Sequence, residues 1–117
     1  MFNLSNNGII TINRGDSFSL DTFINVGTVM SPVQYVLETG DYVYFGLMEP
    51  GQPFEHALIR KVFDKTSLTE DDLVHMEFSA EMTEYLMPGL YYYMIKLVTA
   101  DGDVSTIVSK TKFIILD

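Results

Sequence analysis

Apolar and polar positions alternate with a period of two along most of the chain, as expected where one face of a pleated strand is buried and the other is not. "DYVYFGLME" (41–49) sets Val43, Phe45 and Leu47 on one side and Tyr42, Tyr44 and Met48 on the other. "LYYYMIKLVT" (90–99) turns Tyr91, Tyr93, Ile95 and Leu97 inward and Tyr92, Met94 and Lys96 outward. "LVHMEFS" (73–79) opposes Val74, Met76 and Phe78 to His75 and Glu77. Further strands are predicted in "GIITINR" (8–14), "DSFSLDTFIN" (16–25), "EHALIRKVF" (55–63), "VSTIVS" (104–109) and "KFIILD" (112–117), all rich in β-branched or aromatic residues. "AEMTEYL" (80–86) is the only segment that reads as a helical turn.

Turn chemistry separates these runs. "PGQP" (50–53) breaks the chain after the third strand. Asp101-Gly102 supplies a hairpin turn, since both residues tolerate positive φ. About eight short strands with such spacing predict an all-β domain over residues 1–117, an antiparallel β-sandwich of about 7–9 strands with at most one short helical turn. "LMPGLYYY" sharpens this to an Ig-like sandwich: Gly89 precedes Tyr91 at the start of an apolar strand, where such folds place a tyrosine that bonds back to the preceding corner. Tyr93 then stands inward where antibody domains carry a cysteine. An open barrel is the rival architecture.

The charge balance is acidic, with 16 Asp+Glu against 7 Lys+Arg for a net −9. Such a chain repels phosphate backbones and anionic lipid, so neither nucleic acid nor membrane is expected as a partner. Cysteine is absent, which removes disulfides and thiolate metal sites and is compatible with a reducing cytoplasm. The opening "MFNLSNNG" has no basic and apolar leader pattern, and no apolar run nears the roughly 18 residues of a membrane span.

Catalytic constellations are not apparent. His56 and His75 fall on different strands, neither at a recognised ligand spacing from a second His or a carboxylate. Glu77, Glu81 and Glu84 lack a histidine on their face, and "DGD" (101–103) and "TEDD" (69–72) lack the spread of oxygens that a calcium loop needs. Thr69 reads instead as a cap for a short helical turn, with Asp72 three residues on. Neither a nucleophile elbow nor a phosphate loop is present. The expectation is a non-enzyme without cofactor or metal. The outward Tyr42, Tyr44, Met48, Tyr92 and Met94 share a face if their two strands pair, and Tyr and Met favour interfaces. Arg14-Gly15-Asp16 spells an integrin-binding tripeptide, but it lies between two strands. Gly15 there reads as a bulge or kink, with Arg14 and Asp16 as charges near a sheet edge.

Six stretches in order carry a family resemblance: "RGDSFSL", "LETGDYVYFGLMEPGQ", "FEHALIRKVF", "MTEYLMPGLYYYMIKL", "TADGDVSTIV" and "KFIIL". From about Ile9 to Leu116 the chain resembles the N-terminal Ig-like domain of phage baseplate upper proteins, found in tailed phages and prophages of Gram-positive bacteria. It departs mildly at Thr83, where "EMTEYL" stands in place of a "DT" before the L-x-P-G corner. The resemblance implies a virion structural protein that docks other tail or baseplate proteins, multimeric in the particle and assembled in the bacterial cytoplasm. Members of the family often continue into a coiled coil that carries receptor-binding proteins, so ending at Asp117 suggests a short homologue or the docking part alone. The other reading weighed is a carbohydrate-binding or cell-surface adhesion module, in which tyrosines stack on sugars.

Overall fold

A computed structural model describes residues 3–4, 7–28 and 30–117, with Asn3 as backbone only. The leader reading of the first eight residues therefore falls partly outside the described residues. Among the described residues eight strands follow one another: β1 (Asn3–Leu4), β2 (Ile10–Asn13), β3 (Phe18–Thr22), β4 (Tyr42–Met48), β5 (Ile59–Phe63), β6 (Val74–Phe78), β7 (Gly89–Val98) and β8 (Val104–Leu116). A single helical turn, α1 (Glu81–Glu84), lies between β6 and β7, within the segment expected to be helical. Two 3-10 turns at Phe54–His56 and Lys65–Ser67 add to it. The second forms because Asp64 caps it, accepting from the Thr66 backbone N–H at 3.0 Å. Thr69, read as the cap of a short helical turn reaching Asp72, opens a non-helical turn instead: the Asp72 N–H bonds to its carbonyl at 3.0 Å and the Leu73 N–H to its Oγ1 at 3.2 Å.

The protein is mostly β, in two sheets. Six strands take the order β1-β2-β8-β7-β4-β5, and β3 pairs with β6 alone. All pairings are antiparallel except β2 with β8, which run parallel from Ile10 opposite Phe113 to Asn13 opposite Leu116. The alternation predicted from sequence sets which side of each strand is buried. Val43, Phe45, Leu47, Tyr91, Tyr93, Ile95 and Leu97 of the large sheet join Phe18, Leu20, Val74, Met76 and Phe78 of the small one in a common core. Ring contacts bridge the two sheets: Phe45 meets Phe78 at 4.6 Å between centroids, and Phe18 meets Phe113 at 5.8 Å.

Two strands predicted separately are one. The breaks expected between 109 and 112 become register shifts opposite Tyr93–Lys96, and β8 runs through them for thirteen residues. A bulge disrupts pairing without ending a strand, so where a loop was expected Thr111 stays paired with Tyr93 and the shifts fall between Thr106 and Thr111. The β7–β8 hairpin forms at the predicted place, with one change in the part played by each residue. Gly102 alone has positive φ (+93°), and its N–H returns to the Thr99 carbonyl at 2.9 Å, while Thr99 N–H bonds to the Asp103 carbonyl at 2.9 Å. Asp101 contributes as an acceptor for the Thr99 hydroxyl.

The chain changes sheets at Arg14-Gly15-Asp16. Asp16 N–H closes a turn on the Asn13 carbonyl at 3.1 Å, and Gly15 has φ +84° at its third position, which favours glycine. The Gly15 N–H is held by Thr83 Oγ1 at 2.9 Å, so this fully buried threonine fastens the kink to α1. Arg14 is turned back onto the end of β8, with its guanidinium 2.9 Å from Asp117 Oδ1.

Candidate docking face

The outer side of the large sheet is assembled row by row by strand register. Tyr42 lies opposite Val98, which lies opposite Val104; Tyr44 sits between Val62 and Lys96; Gly46 sits between Arg60 and Met94; Met48 faces Tyr92, which faces Lys112. The five residues expected on one face, Tyr42, Tyr44, Met48, Tyr92 and Met94, are therefore on one face. Their accessibility differs from an open aromatic surface. Tyr42 is exposed at 42%, Tyr44, Tyr92 and Met94 are half-buried, and Met48 is fully buried. Met48 is thus no contact residue for a partner.

The covering comes from the segment after β4, which bends back over the same face. Leu58 N–H bonds to the Leu47 carbonyl at 2.7 Å, and Lys110 Nζ reaches the Gln52 carbonyl at 2.7 Å. Phe54 packs so closely on Gly46 that a Cβ there would lie 2.6 Å from the ring. Glycine within a strand commonly marks such an approach. Two cations from the strands flanking β4 lie over the ring: the Arg60 guanidinium carbon at 5.0 Å and Lys96 Nζ at 4.8 Å from its centroid. Arg60 also donates to the Phe54 carbonyl at 3.1 Å, which fixes the 3-10 turn to β5. Tyr44, Phe54, Glu55, Arg60, Lys96, Val98 and Val104 line a shallow hollow beside this stack. Tyr42, Leu58, Val62 and Val104, all more than two-fifths exposed, surround it with apolar surface.

Phe54 and Arg60 were not singled out from sequence as part of this face, and Lys96 was read as outward but not counted among the docking residues. Gly46 in the middle of an otherwise bulky strand was the available signal, since a missing side chain leaves room for something else to land. The strand predicted from Glu55 also begins late, at Ile59, because Phe54–His56 is spent on that landing.

Of the residues given structural roles, Tyr91 Oη donates to the Met87 carbonyl at 2.7 Å and Tyr93 Oη to the Gly8 carbonyl at 2.5 Å. Burial pushes the Tyr93 phenol up from its ordinary value. Gly89 opens β7 with φ +150°.

Two ionisable clusters lie elsewhere. Asp41, 2% exposed at the start of β4, accepts from Tyr35 Oη at 2.5 Å and from the Glu38 and Ala100 N–H groups at 2.9 Å each. Its desolvation works to raise the carboxyl pKa, but these donors prevail and hold it below the usual range. The same hydrogen bond to Asp41, helped by desolvation, pushes the Tyr35 phenol up to about 12. On the small sheet His75 bridges Asp21 Oδ1 (2.6 Å) and Glu77 Oε1 (3.0 Å), which raise its pKa in that order. His75 therefore does have carboxylate neighbours, brought by cross-strand pairing and by the i+2 spacing along β6. Among the described residues no group of three or more His, Cys, Asp or Glu is disposed to hold a metal ion. No described helix is long and apolar enough to cross a membrane.

Compared with protein-family models, curated proteins and solved structures, the chain matches none.

Proposed function

We propose that this domain is an Ig-like β-sandwich that works as a docking module of a phage tail or baseplate, holding neighbouring virion proteins through the outer side of its large sheet. The order β8-β7-β4-β5 beside the separate β3-β6 pair supports the Ig-like reading, since a variable-type Ig sandwich adds a further strand to the three of its smaller sheet. The Tyr91 hydroxyl reaching back to the Met87 carbonyl supports the same reading, since a tyrosine corner has that geometry. The virion setting rests on the ordered resemblance from Ile9 to Leu116.

The observation that carries the docking role is the exposed apolar ring of Tyr42, Leu58, Val62 and Val104 around a rigid centre of Tyr44, Phe54, Arg60 and Lys96. Aromatic residues and Arg at the centre of such a patch are the residue types that dominate binding energy at interfaces. Sugar stacking by the tyrosines, the alternative, needs accessible ring faces, and of Tyr42, Tyr44 and Tyr92 only Tyr42 is exposed, the other two being half-buried.

The test is co-assembly of the purified chain with the tail and baseplate proteins encoded beside it, followed by size exclusion. Tyr42→Asp with Val104→Asp should remove at least ~90% of complex formation while leaving the unfolding transition in place, because a buried interface charge costs upwards of about 2 kcal/mol. Undiminished assembly by that variant would falsify the face. Specific saccharide binding on a glycan array, lost in the same variant, would favour the adhesion module instead.

A further inference from the structure

Charge is partitioned between the two sheets. The strands of the large sheet contain not one of the sixteen Asp and Glu residues, yet they hold five of the seven Lys and Arg: Arg60, Lys61, Lys96, Lys110 and Lys112. Register puts Arg60, Lys96 and Lys112 on the outer side among the tyrosines, and among the described residues none of the three sits in an ion pair. Glu55 at the rim is the one acid lining the hollow. A protein of net −9 thus presents a face whose strand residues are basic or neutral.

The opposite side of the core carries the complement. On β3 and β6 the outward positions are Ser19, Asp21, His75 and Glu77, with His75 shared between the two carboxylates and Lys61 lining the hollow beside Glu77. The acidic excess of this side comes from the loop entering β6, with the exposed Glu70, Asp71 and Asp72. The Asp71 and Asp72 carbonyls are tied to Gln34 Nε2 at 3.2 Å each, which holds this loop against the segment following β3.

We infer that the basic, tyrosine-lined face of one copy docks on the acidic β3–β6 side of a second copy, giving head-to-tail self-assembly. The inference rests on the docking reading above and names its partner. A self-complementary dimer through the large sheet would set one face carrying Arg60, Lys96 and Lys112 against a second such face, and like charges brought together oppose association. Head-to-tail contact sets cation against carboxylate in every interface and closes into a ring or continues as a stack, according to the rotation between copies. At a distance the overall −9 repels, so the faces act only at contact and free copies associate weakly. An assembled particle that fixes neighbours side by side would supply the missing effective concentration.

Sedimentation velocity of the full chain, over a concentration series reaching the millimolar range, tests this at about 0.1 M and about 0.5 M NaCl, where screening lengths are roughly 10 and 4 Å. Concentration-dependent oligomers are expected at the lower salt, with affinity at least ~10-fold weaker at the higher. Lys112→Glu, and separately Arg60→Glu with Lys96→Glu, should leave the chain monomeric; so should Asp21→Lys with Glu77→Lys. Mixing Lys112→Glu with the Asp21→Lys, Glu77→Lys variant pairs an altered face with an altered face only one way round, and leaves one native pair of faces to form a single heterodimer. A wild type that stays monomeric throughout overturns the inference, as does a mixture that yields no heterodimer. If the wild type is monomeric but Lys112→Glu weakens binding to a tail protein, the occupant is a different acidic protein. The self-assembly is then wrong and the docking reading stands. Wild-type oligomers without any tail-protein complex mean the opposite: self-assembly holds and tail docking falls. Tight binding of a single-stranded oligonucleotide by monomeric wild type would also overturn the inference.

Discussion

Asp41 and Met48 bracket β4, and neither disclosed its surroundings in the sequence. Both lie at positions where alternation predicts only a side, inward or outward. It says nothing of what a neighbouring loop lays over that side. Asp41 is the buried charge among the described residues, and its three donors come from Tyr35, the Glu38 turn and the β7–β8 hairpin. Asp41→Ala strands those donors and should cost about 2–4 kcal/mol in urea unfolding. The acid side follows from linkage. A carboxyl held below its unfolded value of 3.8 contributes stability present above that pH and lost as pH falls through the lower folded value. Tyr35 acts at the other end: raised from 10.0 to about 12, it contributes below pH 10 and loses that contribution as pH rises toward 12. Unfolding midpoints of wild type and Asp41→Ala should therefore converge at both extremes. Met48 separates packing from docking. Met48→Ala should lower stability by about 2–4 kcal/mol, whereas Tyr42→Ala should leave the midpoint within about 0.5 kcal/mol and change only binding.

At the level of elements, most strands were legible because each has one buried side and the period of two is unambiguous. β4, β6 and β7 show it best, and each inward set named from sequence is in the core. The assignment failed where local sequence could support more than one outcome. "SKTKF" has the polarity of a turn, yet it stays extended because β7 supplies partners on both sides of the bulge. "FEHA" has the look of a strand start, yet Gly46 offers Phe54 a seat across the sheet. The parallel pairing of β2 with β8 was beyond reach, since nothing local in "ITIN" says which distant strand it will join. The β3–β6 pair has its own pH signature. His75, raised by Asp21 and then Glu77, favours the folded state below its unfolded value of 6.5, and that contribution fades as pH rises through the higher folded value. Wild type should thus lose more stability between pH 6 and about 9 than His75→Gln, measured by denaturant titration at each pH; parallel profiles would remove His75 from any such role.

On the scale of the whole molecule, the six-stranded sheet is held together by residues far apart along the chain. Among the described residues, β2 has β8 on one side and the two-residue β1 on the other. Removing residues 112–117 takes away the partners of Ile10, Thr11, Ile12 and Asn13 together with Phe113 and Ile115 from the core. The truncated chain should not show a cooperative unfolding transition, in contrast to the full chain, by circular dichroism and amide-shift dispersion. A truncated chain with native dispersion would mean that the sheet can close without β8's far end. The charge partition also belongs to this scale. The segments read as strands from sequence still included Asp41, Glu49, Glu55 and Asp117, so the partition appeared only once the strand ends and the sheet order were known.

The parallel β2–β8 pair carries a consequence for biosynthesis. Ile10 leaves the ribosome roughly a hundred residues ahead of Phe113, which at about 5–20 residues per second is a wait of about 5–20 seconds. Throughout that interval the nascent chain holds an apolar strand whose lasting neighbour has not yet been translated. Closure of the domain is thus a late event that waits on β8.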